Sequence, residues 1–181
     1  KNTVFAVTKE ESRFTLTGFK FISDKKTVKI VTTDGHRLAY TGADKGFQCD
    51  AEIDVLIRKQ ALIEAAKLSN GSVSITHEKD HIRFLTGGRT LISRRLDGNF
   101  PNYEMVMPKD NDKAVTFDIA TFRDVAKRSL AVADPRSLAL YVNISNGQIE
   151  VEAGSEDAMR SESLDASYTG ESTRLMFNAK Y

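Results

Sequence analysis

Asp54-Val55-Leu56-Ile57-Arg58-Lys59-Gln60-Ala61-Leu62-Ile63-Glu64-Ala65-Ala66-Lys67-Leu68 passes without a break from one kind of repeat to another. Residues 54–58 hold a short branched apolar run of the kind that enters a sheet, and the spacing that follows predicts a helix over 59–68, ended by Asn70-Gly71. Three strand patterns come next, at 73–77, 81–85 and 90–96, separated by a charged turn and by Gly87-Gly88. The order then recurs. Residues 114–119 read as a strand, and Phe122, Val125, Ala126, Ser129 and Leu130 fall at offsets that put one small or apolar stripe on a helix. Strands follow at 139–144, 148–153 and 161–167, with Asn146-Gly147 as a hairpin turn. Each helix can cover only part of the sheet it lies on, so two such units must share a core.

Working outward, residues 14–22 and 27–33 form a predicted hairpin across Ser23-Asp24-Lys25-Lys26, and 37–41 continue it after Asp34-Gly35. These strands resemble a third unit without its strand and helix, while 175–181 resemble the opening strand of a fourth; both ends of the chain look cut. Residues 99–113, with Pro101 and Pro108, are the expected connection between two domains, 1–107 and 108–181. The expected class is α+β with antiparallel sheets.

Composition narrows the function classes. In 181 residues, 40% are hydrophobic, and 26 Lys and Arg face 25 Asp and Glu, as in an ordinary globular protein. A formal charge of +1 neither marks nor excludes a nucleic-acid binder, because phosphate affinity comes from clustered cations. The single Cys49 cannot form an internal disulfide, and no apolar run is long enough to span a membrane, so the expected location is cytoplasmic. The triplets Asn70-Gly71-Ser72 and Asn143-Ile144-Ser145 read as turn and strand sequence rather than glycosylation sites.

Two motifs stand out: Thr33-Asp34-Gly35-His36-Arg37-Leu38-Ala39 after one strand, and Leu96-Asp97-Gly98-Asn99-Phe100-Pro101-Asn102-Tyr103 at the end of another. With Arg13, Leu16 and Gly18 on a strand, the helix at 122–128, Tyr168-Thr169-Gly170 and the closing Phe177-Asn178-Ala179-Lys180-Tyr181, they make the chain resemble the bacterial DNA polymerase III β sliding-clamp family over its whole length. The resemblance implies a DNA clamp fold of repeated β-α-β-β-β units, with antiparallel sheets outside and helices facing a central DNA hole. It implies most of the clamp's middle domain and part of its third. The implied role is that of a non-catalytic processivity factor, a head-to-tail homodimeric ring in the full-length protein. Such a ring encircles duplex DNA without reading sequence, in the bacterial cytoplasm and with the nucleoid during replication. No cofactor or metal is implied.

In that family the polymerase III catalytic subunit, the clamp loader and other clamp-binding-motif proteins dock a short peptide between the middle and third domains. The matching positions here are Arg13, Leu16, Thr33, Gly35, His36, Arg37, Leu38, Pro101 and Val106, with Lys180 near the pocket edge. Leu16, Leu38, Pro101 and Val106 suit an apolar lining, and His36 and Arg37 can donate to peptide carbonyls or a carboxylate. For DNA the expected residues are Arg58 and Lys59 at the first helix and Arg123, Lys127 and Arg128 on the second, and for the dimer contact Ala131 and Val132. Glu10 and Thr15 fall near the same DNA path but offer no cation.

The residues alone also allow other readings. Asp34 and Gly35 can be a structural turn, or Asp34 and His36 a catalytic pair in a hydrolase, although no nucleophile or phosphate loop accompanies them. His77 and His81 have a helical ligand spacing that loses its meaning across the turn Glu78-Lys79-Asp80. A β-rich peptide-binding module unrelated to replication is the remaining alternative.

Overall fold

The computed structural model describes residues 2–69 and 71–181. The chain divides into two compact units, Lys1–Met107 and Pro108–Tyr181. In the first, β1 (Gly18–Ser23), β2 (Val28–Thr33) and β3 (Leu38–Ala43) form an antiparallel meander, and β4 (Ile53–Arg58) pairs with β1 to give the order β3-β2-β1-β4. Helix α1 (Lys59–Leu68) follows β4 directly, and β5 (Ser74–His77), β6 (His81–Thr86) and β7 (Arg89–Arg94) make a second, three-stranded sheet. The expected helix stop at Asn70 lies outside the described residues.

The first sheet and the α1 unit share one core, as the length of their amphipathic faces requires. Phe19 and Phe21 of β1 meet Val55 and Ile57 of β4, Ala61 and Ala65 of α1, and Ile82 and Phe84 of β6. Alternation decides which side each residue takes: Ile82, Phe84 and Thr86 are buried while His81, Arg83 and Leu85 between them are exposed. Phe84, Ile57 and Ile82 are among the least accessible large side chains, each contributing about 1.5–3 kcal/mol relative to an exposed position.

In the second unit, β8 (Thr116–Phe117), α2 (Ile119–Leu130), β9 (Ala139–Ser145), β10 (Gln148–Gly154), β11 (Met159–Ser167) and β12 (Thr173–Asn178) build one sheet in the order β12-β9-β10-β11-β8. Its core is Leu140, Val142, Ile144, Ile149, Val151, Ala153 and Leu164 under Val125 of α2. The strand order β3-β2-β1-β4 of the first unit is repeated as β11-β10-β9-β12. Thus β12 lies antiparallel to β9 as β4 lies antiparallel to β1.

Three expectations need correction. Residues 14–17 are not strand: a 3-10 helix, Glu11–Leu16, carries Arg13 and Leu16, because both the N–H and the hydroxyl of Thr17 turn back to donate to the Phe14 carbonyl. The strand expected over 114–119 is reduced to Thr116–Phe117, since Asp118 caps a helix that begins at Ile119. Leu130, placed on the apolar stripe, is 37% exposed, whereas Val125 and Ser129 are buried.

Candidate functional site

The Thr33–Leu38 connection is built by short side chains that bond their own backbone. Asp34 N–H donates to the Arg37 carbonyl (3.4 Å), and the Thr33 hydroxyl donates to the same carbonyl (2.7 Å) while accepting from Gly35 N–H (3.1 Å). Oδ1 of Asp34 accepts from the N–H groups of His36 and Arg37, both at 3.0 Å, and Oδ2 accepts from Arg37 Nε at 3.1 Å. Burial pushes the Asp34 carboxyl up, but hydrogen bonds from the Arg37 and His36 N–H groups and the Arg37 guanidinium outweigh it and hold it below the usual range. Gly35 sits at φ +89°, where a side chain would be strained, and a Cβ there would lie 2.6 Å from Arg13 Nη1.

Two arginines tie this turn to the rest of the first unit. Arg13 Nη1 donates to the Asp34 carbonyl at 2.8 Å, while its Nε lies 3.2 Å from a Glu10 carboxylate oxygen. Arg37 Nη2 donates to the Phe5 carbonyl at 2.8 Å, and its guanidinium carbon stands 5.2 Å from the centroid of the Phe5 ring. The turn is therefore held from outside at its carbonyl and from inside at its carboxylate. Leu38 pairs with Thr33 across β2 and β3. Leu16 is buried, and its carbonyl accepts from Thr8 N–H.

Pro101 and Val106 belong to the segment that leaves β7. Leu96 bridges to Leu56 of β4, donating to its carbonyl at 2.9 Å, and Gly98 comes so close to the 3-10 helix that a Cβ on it would lie 2.7 Å from the Thr15 methyl. Further on, the buried Tyr103 ring stands 6.4 Å from that of Tyr40 on β3, and Asn102 caps the short helical turn Tyr103–Met105 by accepting from Glu104 N–H. Pro101 is exposed, and Met105 and Val106 are 81% and 69% exposed. The structure thus joins Arg13, Thr33, Gly35, His36 and Arg37 in one hydrogen-bonded group around Asp34. Leu16 lies on the 3-10 helix that carries Arg13 and Leu38 opens β3, while Pro101 and Val106 lie on the exposed segment around Tyr103, whose ring meets Tyr40 of β3. Asp34 and Phe5 were absent from the expected set; the Asp-Gly pair was a signal for the first, and nothing local marks the second.

The cations expected to face DNA fall into two classes. Arg58, at the start of α1, has its guanidinium 5.8 Å from the Phe14 ring centroid. Arg128 donates to both carboxylate oxygens of Glu162 on β11, at 3.0 and 2.7 Å, and is committed to that pair. Hydrogen bonds from Arg128 and then Arg160 hold the Glu162 carboxyl down to about 2. Arg123 and Lys127 are exposed one helical turn apart, and neither they nor Lys59 enter an ion pair among the described residues. Of the two residues expected at a dimer contact, Ala131 is exposed at the end of α2, while Val132 packs partly against the core of its own unit. Lys180 is exposed, with its N–H donating to the Asn178 side chain. Both Asp34 carboxylate oxygens already accept backbone or guanidinium protons, which is the geometry of a turn-former rather than of a base awaiting a substrate.

Residues 1–102 match the family model for the DNA polymerase III beta subunit, central domain, and residues 104–181 the model for the same subunit's C-terminal domain. The beta sliding clamp of Pseudomonas putida is 30% identical over 185 residues, covering 100% of this chain and 50% of the relative. That of Escherichia coli K12 is 25% identical over 183 residues, covering 99% and 50%. The solved DNA polymerase III subunit beta of Pseudomonas aeruginosa superposes with a TM-score of 0.89 at 28% identity, over 99% of this chain and 50% of that one. The sliding clamp of Bartonella birtlesii bound to griselimycin gives 0.89 at 31%, over 99% and 50%. The chain spans about half the length of the curated relatives it matches.

Proposed function

Because the chain belongs to the DNA polymerase III beta-subunit family and has its clamp fold, we propose that it works as part of a sliding clamp, a non-catalytic processivity factor. In this reading the first unit is the clamp's middle domain and the second a part of its third. The parent molecule closes as a homodimer around duplex DNA in the bacterial cytoplasm and tethers the replicative polymerase, the clamp loader and other proteins carrying a clamp-binding motif.

The observation that carries the reading is the Asp34 turn, stiffened by Arg13 and Arg37 before any ligand arrives. A carboxylate whose oxygens are already taken by its own turn serves to order that turn, and ordering done in advance is not charged against binding. The exposed Val106 and Pro101 and the partly exposed Leu38 supply apolar contact, beside the turn that His36 and Arg37 help to hold. Griselimycin complexes of the Pseudomonas aeruginosa and Bartonella birtlesii clamps support a ligand-binding role for proteins of this fold.

Arg123 and Lys127, with Lys59, are the cations best placed for diffuse phosphate contact, and Arg58 and Arg128 are secondary. Ala131 is retained as a dimer contact, with Val132 as its packing support.

The test is a titration of a Gln-Leu-Phe-type peptide against the wild type and Leu38→Asp. Expected is weak binding that falls by at least about tenfold in the variant, since a buried charge in an apolar contact costs more than 1.4 kcal/mol. Equal binding by both proteins would remove the nine-residue assignment.

A further inference from the structure

Phe5 stands beside the Asp34 turn on a backbone that is fixed, although its ring is not buried. The short helical turn Val4–Ala6 is anchored by its neighbours: Ala6 is fully buried, Val7 enters the core of the first unit, and the Thr32 hydroxyl donates to the Thr3 carbonyl at 2.6 Å. One residue further, Thr8 N–H donates to the Leu16 carbonyl at 3.2 Å. Between these anchors Phe5 is 56% exposed. A single exposed ring is ordinary on a protein surface and by itself means nothing.

What sets Phe5 apart is that its ring and its carbonyl take the same guanidinium. Arg37 Nη2 donates to the Phe5 carbonyl at 2.8 Å, and the guanidinium carbon stands 5.2 Å from the ring centroid, inside the reach of a cation–π contact. The third hold is Asp34, whose Oδ2 accepts from Arg37 Nε at 3.1 Å. Arg58 over Phe14 at 5.8 Å and Arg174 over Tyr141 at 4.5 Å also bring a guanidinium to a ring. Among the described residues, neither of those arginines donates to the carbonyl of its ring residue. Arg37 is thus gripped from two sides, by the N-terminal segment and by the turn itself.

We propose that Phe5 is a positioning residue of the ligand site: its ring keeps the Arg37 guanidinium on Asp34 and so keeps the Thr33–Leu38 turn in the conformation that binds. This rests on the reading of that turn as a peptide site. A ligand that recognises the ordered turn binds with an apparent affinity scaled by the fraction of molecules in which the turn is ordered. Removing the ring lowers that fraction without removing a group assigned to contact the ligand. The backbone bond from Arg37 to the Phe5 carbonyl survives any substitution at Phe5, so the effect is partial.

The test titrates the Gln-Leu-Phe-type peptide against the wild type, Phe5→Ala, Phe5→Leu, Phe5→Tyr and Leu38→Asp, and follows hydrogen exchange of the Arg37 Nε–H by NMR in the ligand-free proteins. Leucine keeps most of the apolar bulk but has no π face, whereas tyrosine keeps the face. Binding should weaken roughly two- to fivefold in both Phe5→Ala and Phe5→Leu, the range of an exposed cation–π contact, and return to within about twofold in Phe5→Tyr. In the first two variants the Nε–H should exchange faster, because its bond to Asp34 opens more often. Wild-type affinity in Phe5→Ala, full binding by Phe5→Leu, or an unchanged Nε–H exchange rate in both would each overturn the proposal. If Leu38→Asp binds as the wild type does, the peptide-site reading fails and takes this role with it. If Leu38→Asp loses binding and Phe5→Ala does not, the role of Phe5 alone falls. Ala6 and Val7 make the buried contacts of this segment, so substitutions at Phe5 leave the core intact.

Discussion

Units 53–94 and 116–167 carry the same order of elements and hold their helices by different means. Helix α1 continues straight from β4, has no side-chain cap at Arg58, and is kept in place by Ala61 and Ala65 pressed into the shared core. Its charged contacts stay on its own surface, with Glu64 taking both Gln60 and Lys67. Helix α2 is specified locally at its start, where Asp118 accepts from both the N–H and the hydroxyl of Thr121. It is then pinned to β11 by the paired bonds of Arg128 to Glu162. A basic residue on a helix is thus no measure of its freedom to meet a phosphate: Arg128 and Arg123 lie on the same helix, and one is an anchor to the sheet.

The largest way to break this comparison is through the α1 core. Phe84→Ala should destabilise the first unit by about 3–5 kcal/mol in urea unfolding, because a fully buried ring leaves a cavity that the sheet cannot close. A loss under about 1 kcal/mol would mean that α1 is held by something other than this packing. Next comes the Glu162 latch. Its folded carboxyl lies below its ordinary value, so its stabilisation is complete above that value and fades as pH falls from there towards about 2. Glu162→Gln should flatten the pH dependence of stability across that window while changing stability less than Phe84→Ala does. An unchanged acid-unfolding profile would show that Arg128 does not pin α2.

Smaller again is the cap: Asp118→Ala should speed amide exchange in the first turn of α2 on the order of fivefold and leave α1 untouched, as expected from loss of a side-chain cap. The subtlest is the phosphate contrast. For binding to a short DNA duplex, Arg123→Ala or Lys127→Ala should each lower the salt-dependence slope by about 0.9, and Arg128→Ala by less than half of that. Equal slopes for all three would erase the distinction between anchor and contact.

Much of the fold was readable because its strands obey a strict twofold alternation, as in β10, where Ile149, Val151 and Ala153 are buried and Gln148, Glu150 and Glu152 are not. Turns announced themselves through residues that bond their own backbone, such as Asp34 and Asp24. What escaped detection was one local turn and the contacts that depend on distant partners. The 3-10 turn at 11–16 interrupts a pattern that alternation alone reads as strand, and the commitment of Arg37 hangs on a carbonyl 32 residues away. Likewise Arg128 reads as an exposed cation until β11, 34 residues later, brings Glu162 beneath it.

The Arg13 bond to the Asp34 carbonyl has a kinetic consequence. A turn whose geometry is settled beforehand does not slow an arriving ligand by having to rearrange, so different ligands should associate at similar rates. Their affinities would then separate almost wholly through how long each stays. Residence, rather than capture, would decide which ligand occupies the turn and for how long it keeps the others out.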